Sequence, residues 1–389
     1  MIYINFLYAP SGGGYQNSLS FIKSLVGLGF DFTSVTVFVY QGSELHDMAI
    51  RNGIKFNAVK KGVVYKLIFE LFSRWFLQKG DVVFSLFGPP MLTTCNYTLN
   101  VGGMAISNVF YKDVDFWGYL NPFRKFLKKV KDDYRKSRYT KLDCWIFETD
   151  LLMRKAINEC GFPRERCSVV RMAPSPLVTP QNIIRNSKFT DLKHYDNVFL
   201  YLCGAHPNKR LHALPELAVL LNNAGLTNFK FVLTAGNNEY LGSVIGEAER
   251  LSVLDNFINM GPVRPDEVAS IIDSCDYVCT ISVLESFSNN FVEAWAMEKP
   301  LVLTDAKWAR ESCKASAYYI NLDDLKHAAK KLVMLAASED IKRELVKNGR
   351  KILEDYPSAE SKSLRYIEIL NCAIKIGKIT AKQREGIRL

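Results

Sequence analysis

Twice along the chain, apolar runs rich in Val, Ile, Phe and Tyr alternate with stretches of helical periodicity. The first series offers strands at IYINFLY, TSVTVFVY, IKFNAV, DVVFSLF, CNYTLNV, DCWIFE and CSVVRM, with helices between them at Tyr15–Leu28, Ser43–Asn52, Leu67–Leu77 and Asp150–Cys160. The second offers NVFLYLC, FKFVLTA, NFINMG, DYVCTIS, PLVLTD and AYYIN. Alternation of this kind builds parallel sheets covered by helices on both faces. MAPSPLVTPQN, Met172 to Asn182, has three prolines in a polar run and reads as the linker. The expected architecture is α/β: two Rossmann-like, doubly wound αβα domains over residues 1–178 and 179–360. A helical tail, 361–389, would pack back on the N-terminal domain. Such sheets bind ligands at the carboxyl ends of their strands, so the two domains should face each other across a cleft.

None of the apolar runs reaches the ~18 residues needed to span a bilayer. MIYINFLYAPSGGG reads as a first core strand and has no basic region or small-residue cleavage site of an export signal. Nine cysteines without a CxxC pair point to reduced thiols and a cytoplasmic location. The net charge of +10 favours anionic partners: nucleic acid, lipid headgroups or phosphorylated small molecules. Much of the excess lies in Phe123 to Lys141, where nine Lys/Arg face only Asp132 and Asp133. Phe123, Phe126, Leu127, Val130 and Tyr134 recur there at helical spacing. The stripe fits ordinary packing beneath a solvated basic face, or a basic amphipathic helix resting on an anionic membrane. KLIFELFSRWFLQK, Lys66 to Lys79, is aromatic-rich with cationic ends and carries the same two readings.

Three strand–loop–helix turns hold the chemistry. In ESFSNNFVEAW, Glu285 follows an apolar strand, and Asn289 and Asn290 open a helix whose free amides suit a phosphate or diphosphate. Glu293 lies one turn in, and a carboxylate there could accept hydrogen bonds from a vicinal diol. The bland alternative is a salt-bridged Glu293 and a solvated Glu285. In YLCGAHPNKRLHAL, Lys209 and Arg210 sit where a loop meets a helix, and a lysine there neutralises phosphate as a point charge. Taken alone, this is equally a solvated basic loop. In LYAPSGGGYQNSL, Gly12, Gly13 and Gly14 would let a ligand approach the backbone, though they form neither GxGxxG nor a phosphate loop.

With these elements in order, the chain resembles the retaining GT-B glycosyltransferases of the family 4 type. Their E-x7-E motif, EGFGLxxxEAxAxGxPV, stands here as ESFSNNFVEAWAMEKPLV. FLYLCGAHPNKRLHAL resembles the family's strand–loop–Lys–helix, and INMGPVRPDEVASIIDSCDYVCTIS its glycine turn, short helix and strand. NVGGMAISNVFYKDVDFW is similar to a segment of bacterial surface-polysaccharide and O-antigen assembly members.

The resemblance implies that Glu285 contacts the donor sugar and Glu293 the nucleotide ribose. Lys209 would neutralise the departing diphosphate, with Arg210 a possible second cation and the amides of Ser288, Asn289 and Asn290 completing the cradle. Gly13 and Gly14 would approach the diphosphate from the facing domain, and backbone near Gly261 to Val263 would border the base. Ser286 and Ser288 replace two usual glycines. Gly204 and Ala205 stand where an arginine is common, and no histidine lies in LNVGGMAISN, where Asn108 or a backbone carbonyl could serve instead.

Cleaving a sugar–phosphate bond puts negative charge on the leaving diphosphate, which a fixed lysine and helix-terminal amides stabilise without a metal. Asp113-Val114-Asp115 lacks the preceding apolar strand of a metal-binding D-x-D, so no metal or other cofactor is expected. The expected partners are a UDP- or GDP-sugar and a saccharide acceptor on polyprenyl diphosphate. An anionic membrane surface at the inner face of the plasma membrane completes the set, and nucleic acid is not expected. A GT-B epimerase or phosphorylase, a nicotinamide oxidoreductase and a non-catalytic basic membrane-binding protein remain the rival readings.

Overall fold

The computed structural model describes residues 1–93, 98–184 and 188–386, the side chains only as far as 375. Its contacts divide the chain into two units. One comprises Met1–Asp113, Leu120–Met172 and Pro357–Leu389; the other comprises Val114–Tyr119 and Ala173–Tyr356. Assignment of Val114–Tyr119 to the second unit is a detour that no periodicity signals.

In the first unit, strands β1 (Ile2–Asn5), β2 (Val35–Tyr40), β3 (Lys55–Val59), β4 (Val82–Ser85), β5 (Leu99–Met104), β6 (Cys144–Phe147) and β7 (Cys167–Val169) form one sheet. Their order is β3-β2-β1-β4-β5-β6-β7, and every pair is parallel. Burial on both faces explains why β1 and β4 read as unbroken apolar runs rather than as alternation. Helices α1 (Gly12–Gly27), α2 (Glu44–Arg51), α3 (Val63–Phe72), α4 (Pro122–Tyr139) and α5 (Asp150–Cys160) connect them.

The second unit repeats the plan with β8 (Asn197–Tyr201), β9 (Phe229–Leu233), β10 (Phe257–Asn259), β11 (Tyr277–Thr280), β12 (Leu301–Thr304) and β13 (Ala317–Ile320). Its sheet order is β10-β9-β8-β11-β12-β13, again all parallel. Around it run α6 (Leu214–Asn223), α7 (Glu239–Arg250), α8 (Val268–Asp273), α9 (Asn289–Ala296), α10 (Lys307–Cys313), α11 (Leu325–Ala337) and α12 (Glu339–Leu353). The last helix, α13 (Ala359–Gly386), returns to the first unit, where Tyr366, Ile367 and Leu370 join the core beside α1. The Tyr366 ring lies 5.6 Å from Phe21 and 5.4 Å from Phe84.

Several boundaries differ from the periodicity. The first helix opens at Gly12 instead of Tyr15, because Gly12 at φ +68° turns the chain directly into it. The stretch Leu67–Leu77 divides into α3 and a 3-10 turn at Ser73–Trp75, the Ser73 hydroxyl donating to the Glu70 carbonyl at 2.8 Å. Of CNYTLNV, the residues to Tyr97 lie outside the described residues, and the strand is Leu99–Met104. In that strand a Cβ on Gly103 would stand 1.8 Å from the Leu86 carbonyl oxygen, so only glycine lets β5 lie this close to the turn after β4.

Candidate functional site

The strand order of the second sheet reverses between β8 and β11, the place where loops at the carboxyl ends of a doubly wound sheet diverge and ligands bind. Lys209 comes from the loop after β8 and Glu285 from the loop after β11. A 3-10 turn at Pro207–Lys209 followed by Arg210 at φ 53° aims the lysine across the gap, and its Nζ lies 2.5 Å from Glu285 Oε1. The Ser282 hydroxyl donates to the same carboxylate oxygen at 2.6 Å. Burial works against the Lys209 ammonium. The Glu285 carboxylate outweighs it by charge and hydrogen bond, and holds the lysine pKa above its ordinary value.

Asn208 locks the two loops together. Its Nδ2 donates to the Leu284 carbonyl at 3.0 Å, its Oδ1 accepts from the Leu284 amide at 3.2 Å, and its own carbonyl accepts from the Val283 amide at 2.8 Å. The Trp308 indole donates to the Val283 carbonyl at 3.1 Å from the other side. Every polar group of this buried asparagine side chain is therefore spent on the loop that carries Glu285.

Helix α9 begins at the same place. Ser288 is its N-cap and accepts from the Asn290 amide at 3.4 Å. Asn290 turns its side chain inward: Nδ2 donates to the Leu202 carbonyl at 3.1 Å and lies 3.2 Å from Thr280 Oγ1. Asn289, beside it, is partly exposed. Glu293, one turn in, is only 7% exposed, and its carboxylate has no side-chain partner among the described residues. Burial pushes its pKa up to about 7.

The other expected residues are distributed as follows. The Arg210 guanidinium is held by Asp323 at 2.6 Å. Gly261 forms a left-handed turn after β10 at φ 68°, its amide donating to Asn259 Oδ1 at 3.3 Å, and Val263 is half-buried. Gly13 and Gly14 belong to the first unit, in the first turn of α1, where the Gly13 carbonyl accepts from Asn17 Nδ2 and a Cβ on Gly14 would lie 3.0 Å from that of Ala9. Asn108 donates to Asp132 at 2.6 Å, and Asp113 pairs with Lys155 at 2.7 Å.

Sequence reasoning missed Asn208 and Ser282. Asn in Pro-Asn-Lys reads as a turn former, and nothing local shows that its side chain reaches residues 76 positions away. Ser282 could have been found: it precedes Glu285 by three residues, close enough to share its loop.

Residues 182–352 match the model of the family described as glycosyl transferases group 1. No curated protein matches the chain. Among solved structures it is similar to a glycosyltransferase from Rickettsia africae, with 14% identity, a TM-score of 0.69, and 96% of this chain and 98% of that one covered. HepE of Anabaena, solved with UDP and glucose, shares 13% identity at a TM-score of 0.67, over 95% of this chain and 99% of that one. WaaG, a glycosyltransferase involved in lipopolysaccharide biosynthesis, also shares 13% identity, at a TM-score of 0.66, with 95% of this chain and 99% of that one covered. At such identities these likenesses carry the fold, which is GT-B. With the glycosyl transferases group 1 domain in the second unit, the chain is a transferase enzyme.

Proposed function

We propose that the protein is a retaining glycosyltransferase of the family 4 type. It moves a sugar from a nucleoside diphosphate sugar to a hydroxyl of a saccharide acceptor carried on polyprenyl diphosphate, in the assembly of a surface polysaccharide such as O-antigen. The observation that carries the reading is the meeting of Lys209 and Glu285, from separate strands, at the reversal of the second sheet and beside the N-terminus of α9. WaaG's involvement in lipopolysaccharide biosynthesis and HepE's complex with UDP and glucose support the acceptor and donor classes.

In this reading the donor diphosphate takes the Lys209 ammonium, while Ser282 keeps Glu285 in place to grip the sugar hydroxyls. The bond from the anomeric carbon to the phosphate oxygen breaks, and its electron pair leaves on the nucleoside diphosphate, received by Lys209 and the amides of Ser288, Asn289 and Asn290. The acceptor oxygen bonds to the anomeric carbon on the same face, and its proton passes to the leaving phosphate. Glu293 accepts the ribose hydroxyls, and backbone at Gly261 and Val263 borders the base. Arg210 contributes to the diphosphate only after release from Asp323. No step requires a metal.

The experiment is a thermal-shift screen against UDP- and GDP-sugars, followed by assay of nucleoside diphosphate release with lipid-linked saccharides. Stabilisation by one donor class, lost in Lys209→Ala, is the expected result. If no nucleotide sugar shifts the melting temperature and none is consumed, the proposal fails.

A further inference from the structure

Two helices of the first unit leave most of their apolar side chains uncovered. In α4 the covered side holds Tyr139 and, beside it, polar groups: Asp132 is buried and accepts from Asn108 and from Arg135 at 3.2 Å, while Arg138 donates to the Pro90 carbonyl. Its apolar stripe, Phe123, Phe126, Leu127, Val130 and Tyr134, faces outward, with Phe123 71% exposed. Helix α3 behaves alike. Glu70, 2% exposed, points in, while Leu67, Ile68, Leu71, Phe72 and, in the turn that follows, Trp75 point out, Trp75 at 74%. The α4 stripe therefore lacks the ordinary packing that is one of its two readings, whereas in the segment of α3 Phe69, Phe76 and Leu77 do pack beside Phe38 and only the remaining apolar residues stay exposed.

Both helices are fastened to the loop that follows β4. Glu70 Oε2 accepts from the Leu92 amide at 3.1 Å, and Pro90 receives Arg138 together with the Tyr8 hydroxyl at 3.4 Å. Lys66 of α3 lies over the Tyr8 ring at 4.3 Å. The two stripes thus belong to one region of the first unit, at the carboxyl end of β4.

We infer that α3 and α4 form a two-helix surface that seats this protein in the interface of an anionic lipid bilayer. Contiguous apolar patches of this kind on a water-soluble surface mark an interaction site. Here the stripes are rimmed by cations: Lys60, Lys61 and Arg74 around α3, and Arg124, Lys129 and Lys131 along α4 are all exposed. A second copy of the chain would bring the same cations to the same face, which charge repulsion opposes. An anionic bilayer satisfies both parts, its acyl boundary taking the apolar stripes and its headgroups the basic rim. Aromatic side chains such as Trp75 and Phe72 suit that depth. No described helix is long and apolar enough to cross a membrane, so the helices lie along the surface.

This inference depends on the first unit alone and survives failure of the donor-site reading. The test is flotation of the full-length chain with vesicles of phosphatidylcholine, pure or mixed with phosphatidylglycerol. The protein is expected to float with the mixed vesicles and to remain partly attached in high salt, because burial of the stripes is not screened. Leu71→Ser with Trp75→Ser, and separately Phe123→Ser with Leu127→Ser, should each lower the bound fraction roughly tenfold. Lys129→Glu with Lys131→Glu should remove the preference for phosphatidylglycerol. Unchanged melting temperatures would show that the variants are folded, as expected for exposed positions. Absence of wild-type flotation, apolar variants that bind normally, or a dimer in gel filtration that these variants dissociate would each overturn the inference.

Discussion

Asn208 and Leu284 hydrogen-bond to each other in both directions, side-chain amide to carbonyl at 3.0 Å and backbone amide to side-chain oxygen at 3.2 Å. The pair makes the distance between Lys209 and Glu285 a property of the sheet rather than of two mobile loops. Asn208→Ala should cost about 1–3 kcal/mol of stability, because buried partners lose their bonds. It should also lower kcat about tenfold or more while changing donor KM little, since misplacement acts on the reacting geometry. Urea denaturation beside steady-state kinetics checks both. A fall in stability with kcat intact would mean that the lock is only structural.

Lys209→Met should reduce kcat by about 10²–10³, the scale seen when one preorganised donor to a developing anion is removed. Glu285→Gln should be damaging by itself, and the double variant should lose much less than the product of the two. The residues share one ion pair, so their effects are coupled. Multiplicative losses in this cycle would argue for independent roles.

Glu293 gives a pH dependence of definite sign. Its folded value of about 7 stands above the ordinary 4.5, so between these limits the folded chain holds the proton more tightly than the unfolded one. Stability therefore falls as pH rises through that window, and the penalty is complete above it. Glu293→Gln should stabilise the ligand-free protein at pH 8 by on the order of 2–3 kcal/mol and leave it unchanged near pH 4. The same change should weaken nucleotide binding about tenfold, through loss of a charged acceptor. Parallel Tm-versus-pH curves for the two proteins would contradict this.

Gly103→Ala should prevent normal pairing of β4 and β5, because the new methyl group collides with a carbonyl oxygen that the sheet holds in place. A loss of more than about 3 kcal/mol, or no soluble protein, is expected. Wild-type thermal stability of the purified variant would refute it.

The alternation of strands and helices was legible because buried parallel strands must be apolar throughout, as in β1 and β4. Lys209 and Glu285 could be read for a related reason: each follows an apolar run closely, and the carboxyl end of a strand is where a doubly wound sheet presents side chains. The function of Asn208 could not be read, since it depends on a pairing between distant loops. Asn290 shows the same limit, its side chain serving Leu202 and the core while only its backbone was foreseen. Periodicity located the stripes of α3 and α4 correctly but carries no information about which way a stripe turns. That direction is set by the burial of Glu70 and Asp132.

Helix α13 completes the core of a unit whose other segments precede it by more than the whole length of its neighbour. During synthesis, residues 173–356 emerge in full and can fold while α1, β4 and β5 still lack the helix that covers them. The half of the molecule translated first is thus the last to be closed. Its exposed aromatic face, Phe21 and Phe84 among it, is the surface that a chaperone would shield in the interval.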